Sequence, residues 1–157
     1  MNISLLAIGK TDKATLSSLT DDYTKRLGHY VNFTFDVIPD LKNTKNLNEA
    51  QQKEKEGELI LKRIKNSDHL ILLDEKGKMF NSVEFSEQLQ KKMNIGLKQI
   101  IFVIGGPYGF SPSVYARANE KLSLSKMTFS HQMIRLFMVE QLYRAFTIIK
   151  NEPYHHR

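Results

Sequence analysis

The stretch LSLSKMTFSHQMIR, from Leu122 to Arg135, leaves a strand-like start, passes through small polar residues, one lysine and one methionine, and enters a long helix. Two readings fit it: an ordinary strand-to-helix connection, or a cradle that offers backbone N–H and C=O groups to a ligand. Two other stretches share its position after a short apolar run. Asp74-Glu75-Lys76-Gly77 follows "ILL", and Gly105-Gly106-Pro107-Tyr108-Gly109 follows "FVI". The glycines remove side chains where a flat ring or a ribose could press against the chain, although tight turns use the same residues.

Familiar chemical signatures are mostly missing. Gly9-Lys10-Thr11 mimics the end of a phosphate-binding loop, but the first glycine of that motif would fall at Ser4, inside a strand. The GGPYG segment has Ile104 where a dinucleotide fingerprint needs its first glycine. No H-E-x-x-H or paired metal-ligand spacing occurs, so no metal is expected, and His29 and His69 read as element-edge residues. Without a G-x-S-x-G elbow, Ser130 beside His131 reads as a helix cap rather than a nucleophile. Asp74 and Glu75 could form an acid/base pair, but neighbours on a turn point apart.

The elements that must position these stretches alternate in kind. Ile3 to Ile8 reads as a buried strand, and Ala14 to Tyr30 carries helical spacing through Leu16, Leu19, Tyr23 and Leu27. VNFTFDVI alternates as a strand that Pro39-Asp40 ends. A charged helix is expected from Asn46 to Lys65, a strand at HLILL, a helix from Ser82 to Met93, a strand at IIFVI and a short helix from Pro112. A last strand spans Leu122 to Leu124, and a last helix His131 to Lys150. The apolar set of that helix is broader than one core-facing stripe requires, which fits either a core or a subunit interface. Strands alternating with helices predict an α/β fold, a mostly parallel sheet with helices on both faces. In such sheets ligands bind beyond the carboxyl ends of the strands, where all three unusual stretches fall.

Composition narrows the class further. The 157 residues fit a single domain, 1–157, large enough to hold its own core. There is no cysteine, which excludes disulfides, thiolate metal sites and cysteine nucleophiles. The opening MNISLLAIGKTDK lacks the basic region and long apolar core of a signal sequence, and no apolar run approaches a membrane span. A cytoplasmic location is expected. Lys plus Arg number 23 against 17 Asp plus Glu, and the net +6 favours an anionic partner such as nucleic acid.

Taken together, Leu73-Asp74-x-x-Gly77, VIGGPYG, LSLSKMTFSHQMIRLFMVEQLYRAF and the terminal PYHHR resemble the RlmH (YbeA) family of the SPOUT superfamily, in order and over the whole chain. The resemblance implies a C-terminal trefoil knot and a homodimer. It also implies an S-adenosylmethionine-dependent methyltransferase acting on N3 of a pseudouridine in 23S ribosomal RNA within the assembled ribosome. On matching positions, Leu73, Gly105 and Gly106, with Leu124, Ser125, Lys126, Met127, Thr128 and Phe129, correspond to the cofactor site. An adenine suits that loop, since its edge pairs with backbone groups while its faces need apolar walls. His155 resembles the tail histidine of the family and is the first candidate to accept the N3 proton, with Tyr154 orienting the base. Arg144 and Glu140, four apart on the last helix, engage RNA and tail or form an ion pair.

Two departures stand out. Ser130 occupies the position where the family usually has proline, and His156 is an extra tail histidine. The alternatives are a catalytically inactive ribosome-binding module of the same fold and an unrelated small-molecule α/β enzyme.

Overall fold

The computed structural model describes residues 1–156; Arg157, the end of the PYHHR tail, lies outside the described residues. Strand β1 (Asn2–Ile8) sends Ile3, Leu5 and Ala7 to one face and Leu6 and Ile8 to the other, all buried. A strand apolar on both faces belongs in the middle of a parallel sheet. The sheet has the order β2-β1-β4-β3-β5, every pair parallel, with β2 at Asn32–Ile38, β3 at His69–Met79, β4 at Gln99–Ile104 and β5 at Glu120–Ser123.

Helices cover both faces, as the sequence pattern requires. On one side α1 (Ala14–Leu27), α3 (Ser82–Asn94) and α5 (Met133–Ile149) pack Leu27, Phe85, Leu89, Met138, Leu142 and Phe146 onto the sheet. On the other, α2 (Glu49–Leu61) and α4 (Pro112–Arg117) supply Ile60 and Val114. Local chemistry sets their starts. Asn48 and Asn81 each form a reciprocal cap with the third helical residue, Gln51 and Glu84. Ser111 caps α4 with proline at its first turn. Several helices are shorter than their spacing predicts: α1 ends at Leu27 rather than Tyr30, α2 runs Glu49–Leu61 inside the expected 46–65, and α5 runs Met133–Ile149 inside the expected 131–150. The reciprocal cap at Asn48 sets the start of α2.

Strand β3 departs most from expectation. HLILL ends at Leu73, yet the strand resumes and reaches Met79, so that Leu122 of β5 pairs with both Leu73 and Lys78. The extra residues bulge out between these two pairings. Gly77 makes the passage possible: a Cβ there would lie 2.6 Å from the carbonyl carbon of Leu122. Backbone thus lies on backbone, with no flexible side chain to yield.

Gly77→Ala should therefore destabilise the protein by about 2 kcal/mol or more, in the range of overpacking a close contact. Urea unfolding checks this, and an unchanged midpoint would show that β3 and β5 are free to separate.

Candidate functional site

A cleft of about 480 Å³ opens beyond the carboxyl ends of β3, β4 and β5, and the three stretches singled out in the sequence converge on it. Leu73, Ile104, Leu122, Leu124 and Ile134 give it apolar walls. Gly105 and Gly106 line it directly after β4, and Gly106 accepts a hydrogen bond from the N–H of Gly109 at 3.1 Å to close the GGPYG turn. A Cβ on Gly105 would come within 3.1 Å of the Phe110 ring, which also lines the cleft. That glycine lets the aromatic wall close in.

The small polar residues after β5 shape their own loop. Ser123 Oγ donates to the Ser125 carbonyl at 2.8 Å, and Ser125 Oγ accepts from the Met127 N–H at 2.9 Å. Ser130 Oγ accepts from the Met133 N–H at 3.2 Å, but the residue at the cap position of α5 is Gln132, whose side chain does not cap the helix, so Ser130 is not the cap expected. Leu124, Ser125, Met127, Thr128 and Phe129 all line the cleft, whereas Lys126 does not. Sequence position alone could not separate Lys126 from its neighbours, because the loop's turn decides which way each residue faces.

Asp74 and Glu75 also reach the cleft but serve different walls. Asp74 accepts from the Tyr115 hydroxyl and from the Lys76 N–H, while Glu75 is 3.4 Å from the Thr128 hydroxyl. Burial, together with the hydrogen bond to Asp74, pushes the Tyr115 phenol up to about 12. The pair does not converge as an acid/base unit. Tyr108, His131 and Ile134 lie in stretches that the sequence singled out but were not named as lining residues, and Tyr115, on α4, carried no signal at all.

Behind the cleft, Arg135 is 1% exposed. Its guanidinium donates to the Ile8 carbonyl at 2.7 Å, the His131 carbonyl at 2.9 Å and Thr11 Oγ1 at 3.2 Å. Burial lowers its pKa, opposed by the fields of Asp12 and Asp40. Among the described residues no carboxylate pairs with it directly.

The four residues expected to carry catalysis form one cluster, but elsewhere. Glu140 Oε1 accepts from Arg144 Nη2 at 2.6 Å, Arg144 Nε at 3.0 Å and the Tyr154 hydroxyl at 3.0 Å. The Arg144 cation lies 4.6 Å from the centre of the Tyr154 ring, and its Nη1 approaches His155 Nδ1 at 3.5 Å. Tyr154 also meets the Tyr23 hydroxyl at 3.2 Å, and burial followed by these hydrogen bonds raises its pKa. None of the four lines the cleft. Ile134 and Arg144 sit ten residues apart on α5, a rise of about 15 Å.

The family model described as "Predicted SPOUT methyltransferase" matches residues 1–155. A Christiangramia forsetii protein named Ribosomal RNA large subunit methyltransferase H is 68% identical over 157 residues, covering all of both chains. One of the same name from Flavobacterium johnsoniae is 66% identical over the same span, and one from Porphyromonas gingivalis is 54% identical over 99% of each chain. Among solved structures, a probable methylase family protein from Haemophilus influenzae matches with a TM-score of 0.56 at 16% identity, over 99% of this chain and 71% of that one. At that identity the likeness is one of fold.

Replacing Asp74 with asparagine removes the charge that adds to burial in holding the Tyr115 proton. Ultraviolet titration should show the Tyr115 phenol ionising at lower pH in Asp74→Asn than in the wild type. Identical titration curves would mean that the Asp74 contact does not govern Tyr115.

Proposed function

The chain belongs to the SPOUT methyltransferase family, and from that membership we propose that it transfers a methyl group from S-adenosylmethionine to N3 of a pseudouridine in large-subunit (23S) ribosomal RNA on the assembled ribosome. The observation that carries the reading is the cleft: eight of the nine residues expected at a cofactor site line it, all but Lys126. Its volume of about 480 Å³ falls in the usual range for small-molecule sites. Its walls are apolar, and glycine stands at the two positions after β4 where a side chain would collide with Phe110 or with the buried Glu56. These features fit an adenosyl group held between apolar walls and read by backbone edges.

Bound there, the cofactor supplies an electrophilic methyl group on a sulfonium. The chain's own task is positioning, since in-line displacement depends on where the acceptor nitrogen is held. Leu73, Leu124 and Phe129 wall the donor in, and the backbone of Gly105, Gly106 and residues 124–128 offers it hydrogen bonds. His155 accepts the N3 proton as the N–CH3 bond forms, Tyr154 orients the base, and the Glu140–Arg144 pair holds both in place.

The separation of this cluster from the cleft along α5 supports a homodimer in which the tail of one copy serves the cleft of another. A second observation favours it. Met133 and Phe137, four apart on α5, are 36% and 37% exposed, and Phe129, whose ring centre lies 5.1 Å from that of Phe137 with the two planes tilted, is 40% exposed. An apolar face of this kind on a helix invites a second copy. The passage of residues 74–79 over β5 is read as part of the family's trefoil knot, within one domain spanning the chain. No helix among the described residues is long and apolar enough to cross a membrane, and no cluster among them could hold a metal ion. Action on ribosomes places the protein in the cytoplasm.

The deciding experiment supplies labelled S-adenosylmethionine and ribosomes from a strain lacking this protein, then maps the labelled nucleoside after nuclease digestion. Label in N3-methylpseudouridine is expected. Cofactor binding without any label would reopen the substrate, and no cofactor binding either would replace the enzyme by an inactive ribosome-binding module of the same fold.

A charge on the apolar face of α5 tests the dimer. Phe137→Glu should yield monomers by analytical ultracentrifugation and lower methyl transfer at least a hundredfold, because cleft and tail are then parted. Dimers that survive the substitution would assign Phe137 to the core of its own chain.

A further inference from the structure

Glu56 is the least expected residue of the fold. It stands in the Lys/Glu-rich stretch of α2, yet it is 3% exposed and its Oε2 has no hydrogen-bond partner among the described residues. Its Oε1 accepts from Gln52 Nε2 at 3.0 Å. The carboxyl lies directly under the cleft's glycine turn: a Cβ on Gly106 would fall 2.3 Å from Oε2 and 2.7 Å from the carboxyl carbon. The next residue on the helix continues the close approach, since a Cβ on Gly57 would lie 2.3 Å from Ser111 Oγ. Helix α2 therefore approaches the GGPYG segment near its start, at Gly106 through Glu56, and the chain just beyond it, at Ser111 through Gly57.

We propose that Glu56 is a positioning residue for the methyl donor, its carboxyl filling the space beneath Gly106 and holding the Gly105–Gly106 turn at the height at which its backbone meets the ligand. The assignment rests on the reading of the cleft as a cofactor site. Glu56 itself does not line the cleft and acts through Gly106.

The protonation state follows from the surroundings. Burial raises the pKa of Glu56, Gln52 lowers it through its hydrogen bond, Asp40 raises it and His131 lowers it through their fields. Asp40 lies just beyond β2 and His131 just ahead of α5, so both groups that act on this carboxyl through their fields come from elements other than its own helix. A buried carboxyl with one unpartnered oxygen is held most readily in its protonated, uncharged form. The sign for folding is then fixed. A carboxyl whose folded pKa lies above its unfolded value contributes stability below the unfolded value, and that contribution is lost as pH rises through the folded one.

The test measures S-adenosylmethionine dissociation constants by calorimetry and melting temperatures between pH 5 and pH 9. The variants are Glu56→Ala, Glu56→Gln and Gly106→Ala. Glu56→Ala and Gly106→Ala should each weaken binding at least tenfold, one by removing the support and the other by pushing the turn off it. Glu56→Gln, of the same shape and uncharged, should bind within about threefold of the wild type. The wild type should lose melting temperature relative to Glu56→Gln as pH rises from 5 to 9. Binding by Glu56→Ala within twofold of the wild type overturns the proposal, and if that variant does not fold, Gly106→Ala is judged by the same limit. A Glu56→Gln variant as weak as Glu56→Ala overturns the uncharged carboxyl as the group that matters. A wild-type chain that binds no S-adenosylmethionine removes the cofactor reading of the cleft, and this assignment with it.

Discussion

One buried guanidinium joins the two ends of this fold. Arg135 leaves water to hydrogen-bond the Ile8 carbonyl at the close of β1 and the His131 carbonyl at the approach to α5. Burying a cation among neutral acceptors is costly, and the longer-range fields of Asp12 and Asp40 offset part of that cost. Its neighbour Gln132 works in the same place, donating to the Lys10 carbonyl and accepting from the Asp12 N–H, both at 3.1 Å. The segment after the first strand is thereby tied to the start of the last helix. Since the loop from Leu124 to Ser130 hangs between β5 and that helix, its far end is fixed by these contacts and its near end by Ser123.

Helix α5 then acts as a ruler between two chemistries. Its first turn closes an apolar cleft suited to a nucleoside, and its second half carries Glu140 and Arg144 with the tail folded back on them. Each neighbourhood suits its task. The cleft offers apolar side chains on several walls, while the tail cluster keeps a tyrosine hydroxyl, a carboxylate and a guanidinium mutually satisfied. A rigid helix cannot bend the one onto the other within a single chain, and it is this separation that the proposed homodimer would bridge.

The order of strands and helices was legible because the central strands contain short apolar runs and α2, α3 and α4 carry side-chain caps in sequence. HLILL, IIFVI, Asn81 with Glu84, and Ser111 before Pro112 are local signals, and local signals survive into the fold. The three loops that converge on the cleft were legible by the geometry of parallel sheets. What escaped was set by contacts distant in sequence. The continuation of β3 past Leu73 depends on β5, and Asp74-Glu75-Lys76-Gly77 reads as a turn until Leu122 lies beside it. Arg135 sits within an apolar helix with nothing nearby to announce burial, and Glu56 lies among lysines and glutamates that read as a solvated face. No periodicity could place the Tyr154–His155 tail relative to the cleft, because the tail folds back on its own helix.

The double pairing of Leu122 with Leu73 and Lys78 also constrains the order of assembly. Strand β5 is four residues long and has one neighbour, so it gains little until the bulged part of β3 is already in place to receive it on both sides. The pairs that build the sheet's centre, such as Ile3 with Ile100, must first close loops spanning most of the chain. Non-local pairing of this kind is slow to form. The cleft, made from the last strand and the loop after it, is therefore completed only at the end of folding, and a chain caught before that step has a finished central sheet but nowhere to hold a ligand.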